Sequence, residues 1–225
     1  MTRLLAIAIL CACAPAYAQA PQAVPIGRVE VEAGGGWLGG AGVGSSDANL
    51  RAATAAPTPF RLFSVESRFA DAPTFHVRAG YAFTSRFGVE GGLTVSRPEL
   101  RASITNDAEA APPITVAERV DQYGVDASLV VMIRELAIGG RTIPFASAGA
   151  GYLRQLHEGQ TVVEQGHFFH AGGGVKHWLL ARDRGFINGA GLRVDAHLYL
   201  MSGGITFDDR TRPHGAISGS VFLAF

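Results

Sequence analysis

Cysteine is nearly absent: the chain of 225 residues has two, Cys11 and Cys13, both close to its start. Beyond them no disulfide, thiolate metal site or cysteine nucleophile can form. Such a chain also crosses an oxidising compartment without mispairing. Net charge is absent as well. Lys and Arg number 19 against 19 Asp and Glu, so no basic excess points to nucleic acid, and none is expected as a partner. Long apolar runs are the third absence. After the first 20 residues none reaches 18, which argues against a helical membrane span. Yet 48% of the residues are hydrophobic. Apolar content without apolar runs suits strands of period two with one oily face.

The start reads as an export signal. Arg3 supplies the positive charge, Leu4 to Ala14 is an apolar run too short to span a bilayer, and Ala16-Tyr17-Ala18 matches an A-x-A cleavage site. Residues 1–18 are therefore expected to be removed, both cysteines with them. A short segment, 19–27, then precedes one domain over 28–225. Leu10-Cys11-Ala12-Cys13 is a looser match to a lipoprotein signal cut before Cys13.

Eight segments alternate with period two, separated by turn signals: Arg28–Leu38, Thr74–Phe83, Phe87–Ser96, Val120–Met132, Ile143–Arg154, Gly166–Leu179, Phe186–Met201 and Ile217–Phe225. In the second, Phe75, Val77, Ala79, Tyr81 and Phe83 oppose His76, Arg78 and Gly80. In the last, Phe225, Leu223, Val221, Gly219 and Ile217 form a face with no polar side chain. The segment 143–154 is small and apolar on both faces, so alternation does not fix its register. Connections tend to alternate in length. The stretches 39–73 and 97–119 are the longest and read as exposed loops, and His157 and His214 read as loop residues in solvent. The pattern predicts an all-β fold: an eight-stranded antiparallel up-and-down transmembrane β-barrel, with short periplasmic turns and longer extracellular loops.

Charge decides which face is which. A basic group facing lipid near the midplane costs roughly 2–4 kcal/mol, whereas charges turned inward can pair. An eight-stranded barrel is just wide enough to be filled by side chains. A structural lumen cluster of ion pairs is therefore expected from Glu30, Glu32, His76, Arg78, Glu90, Asp126, Lys176, Arg193, Asp195 and His197. Two aromatic girdles are expected at the interfaces. Trp37, Phe75, Tyr123 and Phe169 fall near the predicted extracellular strand ends, and Phe83, Phe87, Phe145, Phe186 and Phe225 near the periplasmic ends. Phe75 to Phe83 spans about 20 Å along the membrane normal at a tilt near 40°, close to the apolar band of about 25 Å.

Three stretches, Pro144-Phe145-Ala146-Ser147-Ala148-Gly149-Ala150-Gly151-Tyr152, Ala171-Gly172-Gly173-Gly174-Val175-Lys176 and the terminal Phe225, together with the export signal, resemble the small outer-membrane β-barrel proteins of the OmpA/OmpX type. The resemblance implies location in the outer membrane after export through the periplasm. It also implies that Phe225, Leu223 and Val221 form the signal read by the barrel-insertion machinery. Members of that family include anchors, adhesins, narrow pores and a few lipid-modifying enzymes, so it leaves function open.

The residues carry little chemistry beyond this. His197 and Ser202 are five apart and so of opposite parity, unlike the His-x-Ser arrangement of outer-membrane lipid A deacylases. His167 and His170 point to opposite faces, and an arginine lies beside His76, so no metal site is expected. The glycine runs 34–36 and 172–174 lack the spacing of a phosphate cradle and read as barrel bends. The expectation is a monomeric, non-enzymatic barrel without cofactor, in contact with outer-membrane lipid and lipopolysaccharide. Its role would be structural or one of surface interaction through the loops. A narrow pore is the alternative, and a lipid-modifying enzyme ranks behind it.

Overall fold

The computed structural model describes residues 29–50, 60–158, 162–182, 185–206 and 210–225. The expected export signal, both cysteines and the segment 19–27 lie outside these. Eleven strands follow one another: β1 (Val29–Leu38), β2 (Ala41–Leu50), β3 (Phe60–Phe69), β4 (Ala72–Ala82), β5 (Phe87–Ser96), β6 (Glu99–Thr105), β7 (Ile114–Met132), β8 (Thr142–His157), β9 (Val163–Ala181), β10 (Gly189–Gly203) and β11 (Arg212–Ala224). Eight of them close into a ring, β1-β4-β5-β7-β8-β9-β10-β11, with β11 antiparallel to β1 and Val31 opposite Leu223. This is the expected eight-stranded antiparallel barrel.

Period-two patterning places the side chains. On β4, Thr74, His76 and Arg78 are buried while Phe75 and Val77 are exposed. On β11, Phe222 and Ala224 are fully buried, and Ile217, Val221 and Leu223 face outward. An oily exterior around a polar interior inverts a soluble fold, and lipid as the outer solvent accounts for it. The lumen needs small residues where it crowds. A Cβ on Gly174 would lie 2.0 Å from the Val194 carbonyl oxygen, and one on Gly149 2.7 Å from His170 Nε2.

The remaining strands correct the expectation of exposed loops over 39–73 and 97–119. β2 and β3 form a hairpin, β3 pairs with β6, and β6 pairs with Ile114–Arg119, the leading third of β7. The result is a four-stranded sheet standing on one side of the barrel rim. Directly opposed residues share a face, so the sheet is amphipathic. Val65, Ile104 and Ile114 lie on one face with Phe69 and Leu100, and Glu66, Ser103 and Thr115 on the other with Arg68 and Arg101. At its foot Val43, Phe69 and Val120 are buried against Leu100 and Ile205, over the barrel mouth.

Two histidines also depart from expectation. β11 begins at Arg212 rather than Ile217, so His214 is a buried strand residue whose Nδ1 donates to the Gly39 carbonyl at 3.1 Å. His157 closes β8, partly buried, with Nδ1 3.0 Å from Glu118 Oε1. The links from β4 to β5 and from β7 to β8 lie at the end that carries Val29 and Phe225, whereas β1 reaches β4 and β5 reaches β7 at the other end through the long excursions that hold β2, β3 and β6. The longer connections of such barrels are extracellular, so the four-stranded sheet is extracellular.

Candidate functional site

The charged residues predicted for the lumen meet in one connected network. Lys176 and Arg193 come from β9 and β10, Arg78 from β4, Glu30 and Glu32 from β1, Glu90 from β5 and Asp195 from β10. Lys176 Nζ donates to Glu30 Oε2 at 2.6 Å and to Glu90 Oε1 at 3.2 Å. The Arg193 guanidinium is the hub. It donates to both oxygens of Glu90 at 2.8 and 2.9 Å, to Glu32 at 3.1 Å and to Asp195 Oδ2 at 2.7 Å. Arg78 Nη1 bridges Glu32 at 2.9 Å and Asp195 at 3.3 Å. Both Lys176 and Arg193 are 2% exposed. Charges so desolvated persist only because each is paired several times over.

A hydrogen-bonded layer lies beside this network. Ser218 donates to Asp195 Oδ1 at 2.5 Å, and His197 Nδ1 lies 3.3 Å from the same oxygen. The Nε2 of His197 meets Ser147 Oγ at 2.8 Å. Asp126 joins through His170 at 3.4 Å, and Ser128 bonds both. His76 sits 4.0 Å from Glu32. The order Ser147, His197, Asp195 is that of a nucleophile, its base and an orienting acid. Here Ser147 is buried and Asp195 is held by two arginines and Ser218, so the chain ties strands β8, β10 and β11 together. Ser202, the serine weighed with His197 from sequence, instead pairs with Thr211 at 2.8 Å.

Apolar layers cover the network along the axis. On the periplasmic side Ile143, Trp178, Phe222 and Ala224 pack together with Met132. On the extracellular side Leu38, Leu153, Phe168 and Met201 form a second layer. Between it and the charges lies a cavity of about 50 Å³ bordered by His76, Arg78, Ser96 and Tyr199. That volume holds only a few waters at about 10–15 Å³ each.

Of the expected girdles, Trp37, Phe75, Phe83, Phe87 and Phe169 face outward, and Phe186 is 85% exposed, in a turn rather than a strand. Tyr123 lies on the outward face of β7, partly buried. Phe225 is also partly buried, its ring 5.2 Å from Phe186. Phe145 corrects the expectation: it is 3% exposed and points into the lumen. Its ring lies 4.3 Å beneath the Arg193 guanidinium carbon and 6.0 Å from Lys176 Nζ. A cation–π contact in a desolvated site explains an aromatic there. Sequence reasoning also passed over Trp178, Phe222 and Phe168 as lumen aromatics. Trp178 and Phe168 share the parity of Lys176 and His170, which was the available signal. Among the described residues no group of His, Asp or Glu is arranged to hold a metal ion.

Comparison with known proteins agrees with this geometry. The family model of the outer membrane protein beta-barrel domain matches residues 4–201. No curated protein matches. Among solved structures, OprG of Pseudomonas aeruginosa is similar with a TM-score of 0.51 at 8% identity, over 89% of this chain and 96% of OprG. Ail of Yersinia pestis, in complex with the heparin analogue sucrose octasulfate, is similar with a TM-score of 0.46 at 15% identity, over 89% of this chain and all of Ail. The family match spans most of the chain, residues 4–201, and this chain belongs to the outer membrane protein beta-barrel domain family.

Proposed function

We propose that this outer-membrane barrel is a non-enzymatic surface-interaction protein, exported through the periplasm, that works through its extracellular sheet. The observation that carries the reading is the contrast between a lumen filled by paired charges and a projecting sheet, β2-β3-β6 with the start of β7, that the ring does not need for closure. A barrel whose interior is occupied by its own side chains offers little path for solute, and the recognising surface is then left to the rim. The buried Ser147-His197-Asp195 chain serves the wall, and lipid A incubated with the pure protein should keep its full mass.

Excision tests the role of the sheet. An ideal Cβ on Gly40 would lie 3.1 Å from the Ala70 carbonyl carbon, so the ends of the β2–β3 hairpin already touch. Removing residues 41–69 should leave a barrel that folds and keeps its heat-modifiable gel mobility. Cells displaying the excised form should lose adhesion to an epithelial monolayer that cells with the full chain show. Equal adhesion by both would remove the sheet from the account.

A further inference from the structure

We propose that the outward face of the extracellular sheet and the adjoining rim is a binding site for the phosphate groups of a glycolipid of the outer leaflet. Five exposed arginines lie there: Arg68 on β3, Arg101 on β6, Arg119 on β7, Arg154 on β8 and Arg97 beside β5. All belong to one side of the rim. The carboxylates on that face are Asp47, Glu66, Glu99 and Asp121, and Asp47 is engaged by Ser64 at 2.7 Å and by Arg61 at 3.7 Å. Arg101 is held by Glu99 at 2.7 and 2.8 Å, and Arg97 by Asp121 at 2.7 Å. Among the described residues Arg68, Arg119 and Arg154 have no such pair.

The register sharpens the case. Arg68 stands directly opposite Arg101 across the β3–β6 ladder. Like charges at directly opposed positions destabilise a sheet. An anion bridging the two guanidiniums would turn that repulsion into a bidentate clamp, the geometry in which arginine recognises phosphate.

Height selects the occupant. Tyr123 marks the aromatic row, with Arg154 opposite it on β8. Arg119 lies four residues further up β7, and the Arg68–Arg101 pair is level with Ala117, six residues up. At roughly 3.3 Å per residue and a tilt near 40°, the arginines span from the aromatic row to about 15 Å above it. A phospholipid headgroup layer is only about 5–8 Å deep. A lipid that carries phosphates at several heights on a sugar headgroup matches the ladder of cations, and lipopolysaccharide is the outer-leaflet lipid of that chemistry.

The test titrates fluorescent lipopolysaccharide onto the refolded full chain in zwitterionic micelles. A basic residue near an anionic lipid surface contributes about fivefold in affinity. The variant Arg68→Gln, Arg101→Gln, Arg119→Gln should therefore bind on the order of a hundredfold more weakly. The single change Arg68→Glu places a carboxylate opposite Arg101, so it should fold at least as well as the parent yet bind about tenfold more weakly or worse. Lipopolysaccharide stripped of phosphate should bind the parent no better than the intact lipid binds the triple variant. Parental affinity in both variants would overturn the proposal. So would equal binding of phosphate-free lipopolysaccharide, or displacement of the lipid by inorganic phosphate or by phosphatidylglycerol at equal concentration. Adhesion of cells is a separate readout, so failure here and failure of the surface-interaction reading are told apart.

Discussion

One strand, β7, belongs to two different environments. Its lower part, in the ring, alternates strictly: Gln122, Ser128 and Val130 are buried while Val125 and Leu129 face lipid. From Ile114 to Ala117 every residue is exposed, Ile114 and Val116 included. The ring hides its charges and shows its oil, whereas the sheet above shows charge on one face and apolar residues on the other, half buried at Val65 and Ile104 and exposed at Ile114 and Val116. The same backbone pairing therefore carries opposite patterns, and the boundary falls at Val120, where β7 leaves β6 for β8. What surrounds a strand, rather than its composition, decides which parity is inside.

The comparison can be broken first at the lumen hub. Arg193→Ala strands Glu90, Glu32 and Asp195 without their shared cation, and loss of one partner of a buried pair costs about 3–5 kcal/mol. Urea unfolding from lipid vesicles should show that drop, and a loss under about 1 kcal/mol would mean the charges are solvated and the lumen is wet. Crowding comes next. Gly174→Ala forces a methyl against the β10 backbone and should cost about 1–3 kcal/mol by the same assay. Phe145→Leu keeps apolar volume but removes the ring under Arg193, with an expected loss of about 1–2 kcal/mol. The smallest effect belongs to the sheet: Arg101→Ala, an exposed pair with Glu99, should shift unfolding by about 0–1 kcal/mol. If Arg101→Ala proved as damaging as Arg193→Ala, the division into a sealed ring and a detachable sheet would fail.

Much of the ring was legible because two solvents leave a period-two record. The β5 bounds, Phe87–Ser96, follow from alternation alone, and His76, Arg78, Asp195 and His197 were placed inward by the cost of charge in lipid. Phe145 was misplaced because β8 is small and apolar on both faces. Without a polar residue to set parity, strand-end position suggested a girdle, and only the contact with Arg193 gives the reason for the ring to turn in. The sheet was missed for a related reason. β2 reads Ala-Gly-Val-Gly-Ser-Ser-Asp-Ala-Asn-Leu, which has turn composition. It is a strand because β3 offers it a ladder, a long-range fact with no local signature. β3 does alternate, with Phe63, Val65 and Phe69 against Ser64, Glu66 and Arg68, but the glycine-rich context masked it. His214 was lost with the first residues of β11, because the last alternating segment was read only from Ile217 onward.

The central claim is that paired side chains and two apolar layers close the lumen. Planar-bilayer recording on the refolded full chain tests it most directly. The account predicts a bilayer that stays electrically silent between insertion events, with no discrete steps at any voltage the membrane tolerates. Stable openings of uniform size from pure protein, enlarged in Arg193→Ala, would contradict it and make the barrel a pore.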